Sequence, residues 1–167
     1  MCAYHAFSLS LLKYLIPLYL LAVPSLFQET IHLRFSVKDA ATGIIVSAAV
    51  LLPFWYFFSP PGRSLALLPV GAVIFQLLGV SVPEEVYFRG FLQHRLGNTL
   101  RAVLVVSLLF SFMHLPQFIF YGDRYSLLTL FPSLVMGLLY WRTSNILPSA
   151  MFHFFSNIVF LGTYDIL

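Results

Sequence analysis

Long stretches of this chain carry no charge. Segments 40–58, 65–82, 127–141 and 146–164 contain no Asp, Glu, Lys or Arg, 7–27 contains only Lys13, and 100–120 contains only Arg101. Crossing roughly 30 Å of hydrocarbon at about 1.5 Å per residue takes about 20 apolar residues, so these are six candidate membrane spans. Composition agrees: 60% of the 167 residues are hydrophobic and 9% charged, against about 45–50% and about 25% in soluble domains. That leaves too few charges to clothe a water-facing surface. A soluble globular enzyme and a disordered or fibrous chain are excluded. The single cysteine, Cys2, cannot form an internal disulfide. The net charge of +3 comes from scattered Lys and Arg, with no stripe to hold nucleic acid, and reads as loops between spans. Membrane lipid is the first partner implied.

Within a bilayer every backbone N–H and C=O needs a partner in the protein, which admits helices or closed barrels. Barrel strands would alternate apolar and polar residues, and the stretch AVLVVSLL at 102–109 does not. The expected fold is therefore all-α: one polytopic membrane bundle of about six transmembrane helices over 1–167, with a buried polar cavity. The first segment is kept as a span, because one early Lys and the Ala22-Val23-Pro24 stretch make a poor secretory signal. Loops after spans one, three and five hold Arg34, Lys38, Arg95, Arg101 and Arg142, and the other side holds Arg63 and Arg124. The positive-inside rule then places the odd-numbered loops in the cytoplasm and both termini outside.

Ionisable groups at membrane depth cost on the order of 2.5–3.5 kcal/mol each at a helix centre, so they face a bundle interior or a cavity. Glu84 and Glu85 follow directly on the apolar run 65–82, with Arg89 four residues after Glu85. On a helix Glu85 and Arg89 share a face, while Glu84 is turned about 140° from Arg89. Arg89 can neutralise Glu85 and leave Glu84 for another partner, a disposition suited to general acid–base chemistry. A structural reading stands beside this one. Ser81-Val82-Pro83-Glu84 fits a capping box that would start a fresh helix at Pro83.

Two histidines raise the same burial problem: His114, late in the fourth span, and His153, midway through the sixth. Asn157 lies one turn after His153, so an imidazole and an amide leave one face and could hold an oxyanion. Each taken singly also fits hydrogen-bonded scaffolding. Three polar clusters on three apolar helices together point to one shared polar cavity. His5, His32 and His94 are expected at solvated termini or loops, Trp55 and Trp141 at the interfaces, and Gly43, Gly71, Gly79 and Gly137 at close helix contacts.

Taken in order, Glu84-Glu85-x-x-x-Arg89, Phe110-x-x-x-His114 and His153-x-x-x-Asn157 resemble the signature of the CPBP intramembrane proteases. That family includes CAAX prenyl endopeptidases and bacteriocin-processing or self-immunity proteins. The resemblance covers 65–164, and the chain is shorter than the larger, roughly eight-span members. It implies hydrolysis of a peptide bond within the membrane boundary. Glu84 would activate water, His114 would hold that water, and His153 with Asn157 would stabilise the oxyanion. Glu85, Arg89 and Phe110 would support them. A zinc-dependent version would use Glu84, His114 and His153 as ligands. The zincin pattern of two His at i,i+4 around a Glu is absent from the sequence, so no metal or other cofactor is the favoured reading.

A membrane-associated protein or peptide, such as one with a C-terminal sorting tail or a leader, is the expected substrate, and a bacterial cytoplasmic membrane the expected location. From another class, Glu84, His114 and His153 could line the path of a proton- or ion-coupled transporter, although the sequence carries no inverted repeat. A non-catalytic immunity protein would not need four buried polar groups. Counting from the nearest inner charges, Glu84 and His153 each lie about 11 residues, roughly 16 Å, into the bilayer, and His114 about 13 residues, roughly 20 Å. One site open to the cytoplasmic side is expected.

Overall fold

The computed structural model describes residues 2–28, 30, 32–60 and 64–164, with the side chains of 2–13 and of Tyr121 left aside. Arg63, used above for orientation, lies outside the described residues, as do the side chains of Cys2, His5 and Lys13. Helix α1 spans Cys2–Leu26 and α2 spans Val37–Phe58. Helix α3 runs continuously over Val70–Gln93, and Leu100–Met113 (α4) is followed by the short Leu115–Tyr121 (α5). A 3-10 turn at Arg124–Thr129 leads into α6, Leu130–Thr143, and α7 occupies Ile146–Tyr164. There is no strand among the described residues.

The chain is an integral membrane helix bundle. Four helical stretches are long and apolar enough to cross a bilayer: Val37–Phe58, Val70–Gln93, Leu100–Phe120 and Ile146–Tyr164. The other two expected spans are helical but shorter in apolar extent. In α1 the described apolar stretch is Tyr14–Leu26, and α6 loses its first turn to the 3-10 segment, where the Asp123 side chain accepts from Tyr125 N–H.

The third span is displaced from its expected position at 65–82 to Val70–Gln93. Hydropathy ends the span at the glutamates, whereas the helix continues through them, with Glu85 paired to Arg89 and His153 inside the bundle. Nor does a new helix start at Pro83. Ser81 makes no capping bond, and its hydroxyl is buried without a hydrogen-bond partner among the described residues. The helix absorbs Pro83 by opening into an i→i+5 pattern over Gln76–Ser81, where Val82 N–H reaches Leu77 O. A second such segment covers Val86–Gln93. The wider turn accommodates a residue that has no N–H and whose ring would strike the preceding turn.

Burial shows which apolar face is inside. On α4, Ala102, Val103, Val106, Ser107 and Phe110 are buried against α6, while Leu104, Val105, Leu108, Leu109, Phe112 and Met113 face outward. Phe88, Val106, Phe110, Met136, Leu139 and Phe152 form the central apolar cluster. Helix α2 packs along α7 through Gly43, where a Cβ would stand 2.9 Å from both Met151 Cβ and Pro148 O. Gly137 similarly admits Val103. Gly71 does not serve packing, since a Cβ there meets nothing within 4 Å, and the atoms nearest a Cβ at Gly79 belong to its own helix's Phe75 ring.

The loops sort to two ends as alternating spans require. At one end the His32 and His94 rings stack at 4.2 Å, Asn98 Nδ2 donates to Ser144 Oγ at 3.3 Å, and the Asn145 amide donates to Arg34 O at 2.9 Å and Asp39 Oδ2 at 2.8 Å. At the other end Ala66 N–H donates to Gly162 O at 2.9 Å, and Tyr164 hydroxyl to Phe58 O at 3.0 Å. His94 is thus not a solvated loop residue. It is half-buried at the end of α3, with Tyr140 Oη 3.4 Å from its Nδ1.

Candidate active site

Helices α3, α4 and α7 supply the polar groups. Glu85 and Arg89 sit one turn apart on α3 and are both fully buried, with Arg89 Nε 3.3 Å from Glu85 Oε2. Arg89 continues across to α6, donating from Nη2 to Ser133 Oγ at 2.8 Å and Ser133 O at 3.1 Å. Its guanidinium lies 5.5 Å from the centre of the Phe110 ring. A buried arginine needs this number of partners, because an unpaired charge in a low-dielectric interior costs several kcal/mol, on the order of 3–5.

Glu85 does more than neutralise Arg89. Its Oε1 accepts from His153 Nδ1 at 3.2 Å, which fixes the imidazole and leaves Nε2 facing away from Glu85. That Nε2 stands 3.8 Å from Glu84 Oε2. The two adjacent carboxylates therefore flank one histidine, one at each ring nitrogen. The roughly 100° between adjacent residues on a helix is what allows this, because an imidazole inserted from α7 presents its nitrogens in different directions. Glu84 Oε2 is buried and makes no hydrogen bond within the described residues. A 3.8 Å gap is too wide for a direct hydrogen bond.

His114 arrives by a different device. Pro116 lacks the N–H that would continue the ladder, so α4 ends at His114 and α5 starts immediately after. The backbone N–H of His114 then bonds Ser111 O in a tighter turn, and its Nδ1–H takes over Phe110 O at 2.9 Å. His114 Nε2 takes no part in that bond. Phe110 links the groups: its ring is 4.6 Å from that of His114 and 5.7 Å, edge-on, from that of His153.

Asn157 is one turn beyond His153 on α7, with its Nδ2 donating to Gln76 Oε1 at 3.0 Å. The structure thus brings Glu84, Glu85, Arg89 and His153 into one contact set, places His114 beside it across Phe110, and sets Asn157 at its edge. Sequence reasoning missed Gln76 and Ser133. Gln76 could have been found as the one amide in the 65–82 run. Ser133 carried no signal, since a serine is cheap in any membrane helix.

Among the described residues no three His, Cys, Asp or Glu side chains are grouped to hold a metal ion. Of the three side chains named above as a zinc set, Glu84 and His153 stand 3.8 Å apart, while His114 lies across the Phe110 ring from His153, and the further carboxylate, Glu85, is committed to Arg89 and to His153 Nδ1.

A family model described as Rce1-like, type II CAAX prenyl endopeptidase, matches residues 66–159, more than half of the chain, and contains every residue of the site. No curated protein and no solved structure matches.

Proposed function

The chain belongs to the Rce1-like family of type II CAAX prenyl endopeptidases, and from that membership we propose that Glu84 is the base of a metal-independent intramembrane peptide hydrolysis. The observation that carries the proposal is the unbonded Glu84 Oε2, buried 3.8 Å from His153 Nε2. A water held by His114 Nε2 gives a proton to Glu84 as its oxygen attacks the scissile carbonyl carbon. The carbonyl π pair moves to oxygen, and the oxyanion accepts hydrogen bonds from Asn157 Nδ2 and from His153 Nε2–H. As Nδ1–H is given to Glu85 Oε1, donation from Nε2 means that His153 carries a hydrogen on each ring nitrogen at this step. Collapse of the intermediate breaks the C–N bond, and the proton on Glu84 passes to the leaving amine. The substrate class proposed is a membrane-tethered protein or peptide whose apolar tail keeps the scissile bond at this depth.

Glu84→Gln tests the reading, with a quenched fluorescent peptide ending in a farnesylated C-a-a-X tail as probe. Loss of a positioned acid–base group costs about 10²- to 10⁴-fold in kcat. Retained cleavage would remove Glu84 from the chemistry. Metal independence is checked by elemental analysis of the purified protein and by assay after chelation. Stoichiometric zinc, with activity lost on its removal, would overturn the metal-free mechanism.

A further inference from the structure

Nothing in the catalytic reading requires Gln76, yet this half-buried amide on an otherwise apolar stretch bonds directly to Asn157. It lies on α3 eight residues before Glu84. On a regular helix at about 100° per residue the two would point roughly 80° apart. The i→i+5 segment Gln76–Ser81 lies between them. Such a bulge takes up one extra residue, so eight residues span close to two full turns of about 3.6 residues. Gln76 and Glu84 accordingly both meet α7: Glu84 approaches His153, and Gln76 accepts from Asn157, one turn on.

An asparagine amide can be turned either way round, and the two orientations present opposite chemistry: two N–H donors, or a carbonyl that would repel an oxyanion. Gln76 Oε1 is an acceptor 3.0 Å from Asn157 Nδ2. With its carbonyl turned to α7, Gln76 meets the N–H side of Asn157. One of the two Nδ2 hydrogens is then tied down and the other is free.

We propose that Gln76 is a positioning residue: it locks the Asn157 amide with Nδ2 toward the site, so that the free N–H is preorganised for the oxyanion. This rests on the oxyanion role of Asn157 proposed above. Preorganisation matters because the donor must be aimed before charge develops.

The test uses the full chain in detergent micelles, with Gln76→Met, a near-isostere lacking the acceptor, Asn157→Ala, and the double variant. On the farnesylated C-a-a-X peptide, Asn157→Ala is expected to lower kcat about 10²- to 10³-fold. Gln76→Met should lower it about 10- to 100-fold, the usual cost of losing an orienting partner, with KM unchanged. The double variant should be no worse than Asn157→Ala alone, because Gln76 acts only through that amide. Full activity in Gln76→Met, or a double variant that multiplies the two losses, overturns the positioning role. Full activity in Asn157→Ala instead overturns the oxyanion assignment itself.

A second measurement needs no turnover. The chain has three asparagines, Asn98, Asn145 and Asn157, so selective ¹⁵N labelling gives three side-chain amide pairs, and Asn157→Ala identifies its own by loss. Gln76→Met should move the Asn157 pair and leave the other two in place. An unmoved Asn157 pair overturns the proposal whether or not the peptide is cut.

Discussion

Arg89 shows how a membrane interior handles a charge it cannot hydrate. Its guanidinium meets Glu85, the Ser133 hydroxyl and carbonyl, and the Phe110 ring, all at full burial. Arg89→Met leaves Glu85 ionised and uncompensated, and removal of one partner from a buried pair costs about 3–5 kcal/mol. The expected outcome is a lowered thermal midpoint in micelles and a displaced His153, since Glu85 holds that ring. Adding Glu85→Gln to Arg89→Met should recover part of the stability while activity stays lost. A double variant no more stable than Arg89→Met would show that the pair is not the source of the cost. Glu84, by contrast, has an oxygen with no hydrogen bond to break, so Glu84→Gln should move the thermal midpoint less than Arg89→Met does.

Among the helices, separation is set by what two backbones allow. Helix α2 approaches α7 at Gly43, and a Cβ there would meet Pro148 O and Met151 Cβ at 2.9 Å. Neither the proline carbonyl nor a Cβ can swing aside. Gly43→Ala should therefore push the helices apart and destabilise the bundle by about 1–3 kcal/mol, the usual range for overpacking. Gly71→Ala is the control, because its Cβ enters open space and alanine favours helix by about 0.8–1 kcal/mol over glycine. Thermal midpoints of the two variants in the same detergent should move in opposite directions; a shared direction would contradict the packing argument. The displacement of α7 in Gly43→Ala should also lower activity, as this helix carries His153 and Asn157.

At the scale of the whole molecule, the two ends of the bundle are distinct, and the positive-inside rule predicts that the end richer in arginine faces the cytoplasm. Arg34, Arg95 and Arg142 belong to the end where the His32–His94 stack and the Asn98–Ser144 bond tie three loops together. Arg124 begins the 3-10 turn at the opposite end, next to Tyr125, whose ring lies 4.5 Å from Tyr164. With Cys2 replaced by serine, Arg95→Cys should be labelled by an impermeant maleimide only from the cytoplasmic face, and Arg124→Cys only from the other. The reversed pattern would invert the orientation without disturbing the site, because convergence of the helices does not depend on which compartment they face.

The six apolar helical segments, the absence of a soluble surface and the residue types of the site were legible in the linear chain, because burial of charge in hydrocarbon is so costly that polar residues stand out against an apolar background. Glu85 with Arg89, and His153 with Asn157, could be paired for the same reason: helical spacing alone puts them on one face. The end of the third span could not be read, because a hydropathy sum treats Glu84, Glu85 and Arg89 as exposed costs, and only their partners on α6 and α7 offset them. The insertion of one imidazole between two carboxylates, the i→i+5 turn around Pro83 and the Asn157–Gln76 bond were likewise decided by tertiary structure. Each depends on how far helices that are apolar on every side have rotated about their own axes. Lipid and core are equally oily, so the pattern of hydrophobic residues leaves that rotation unspecified, and contact between the helices sets it.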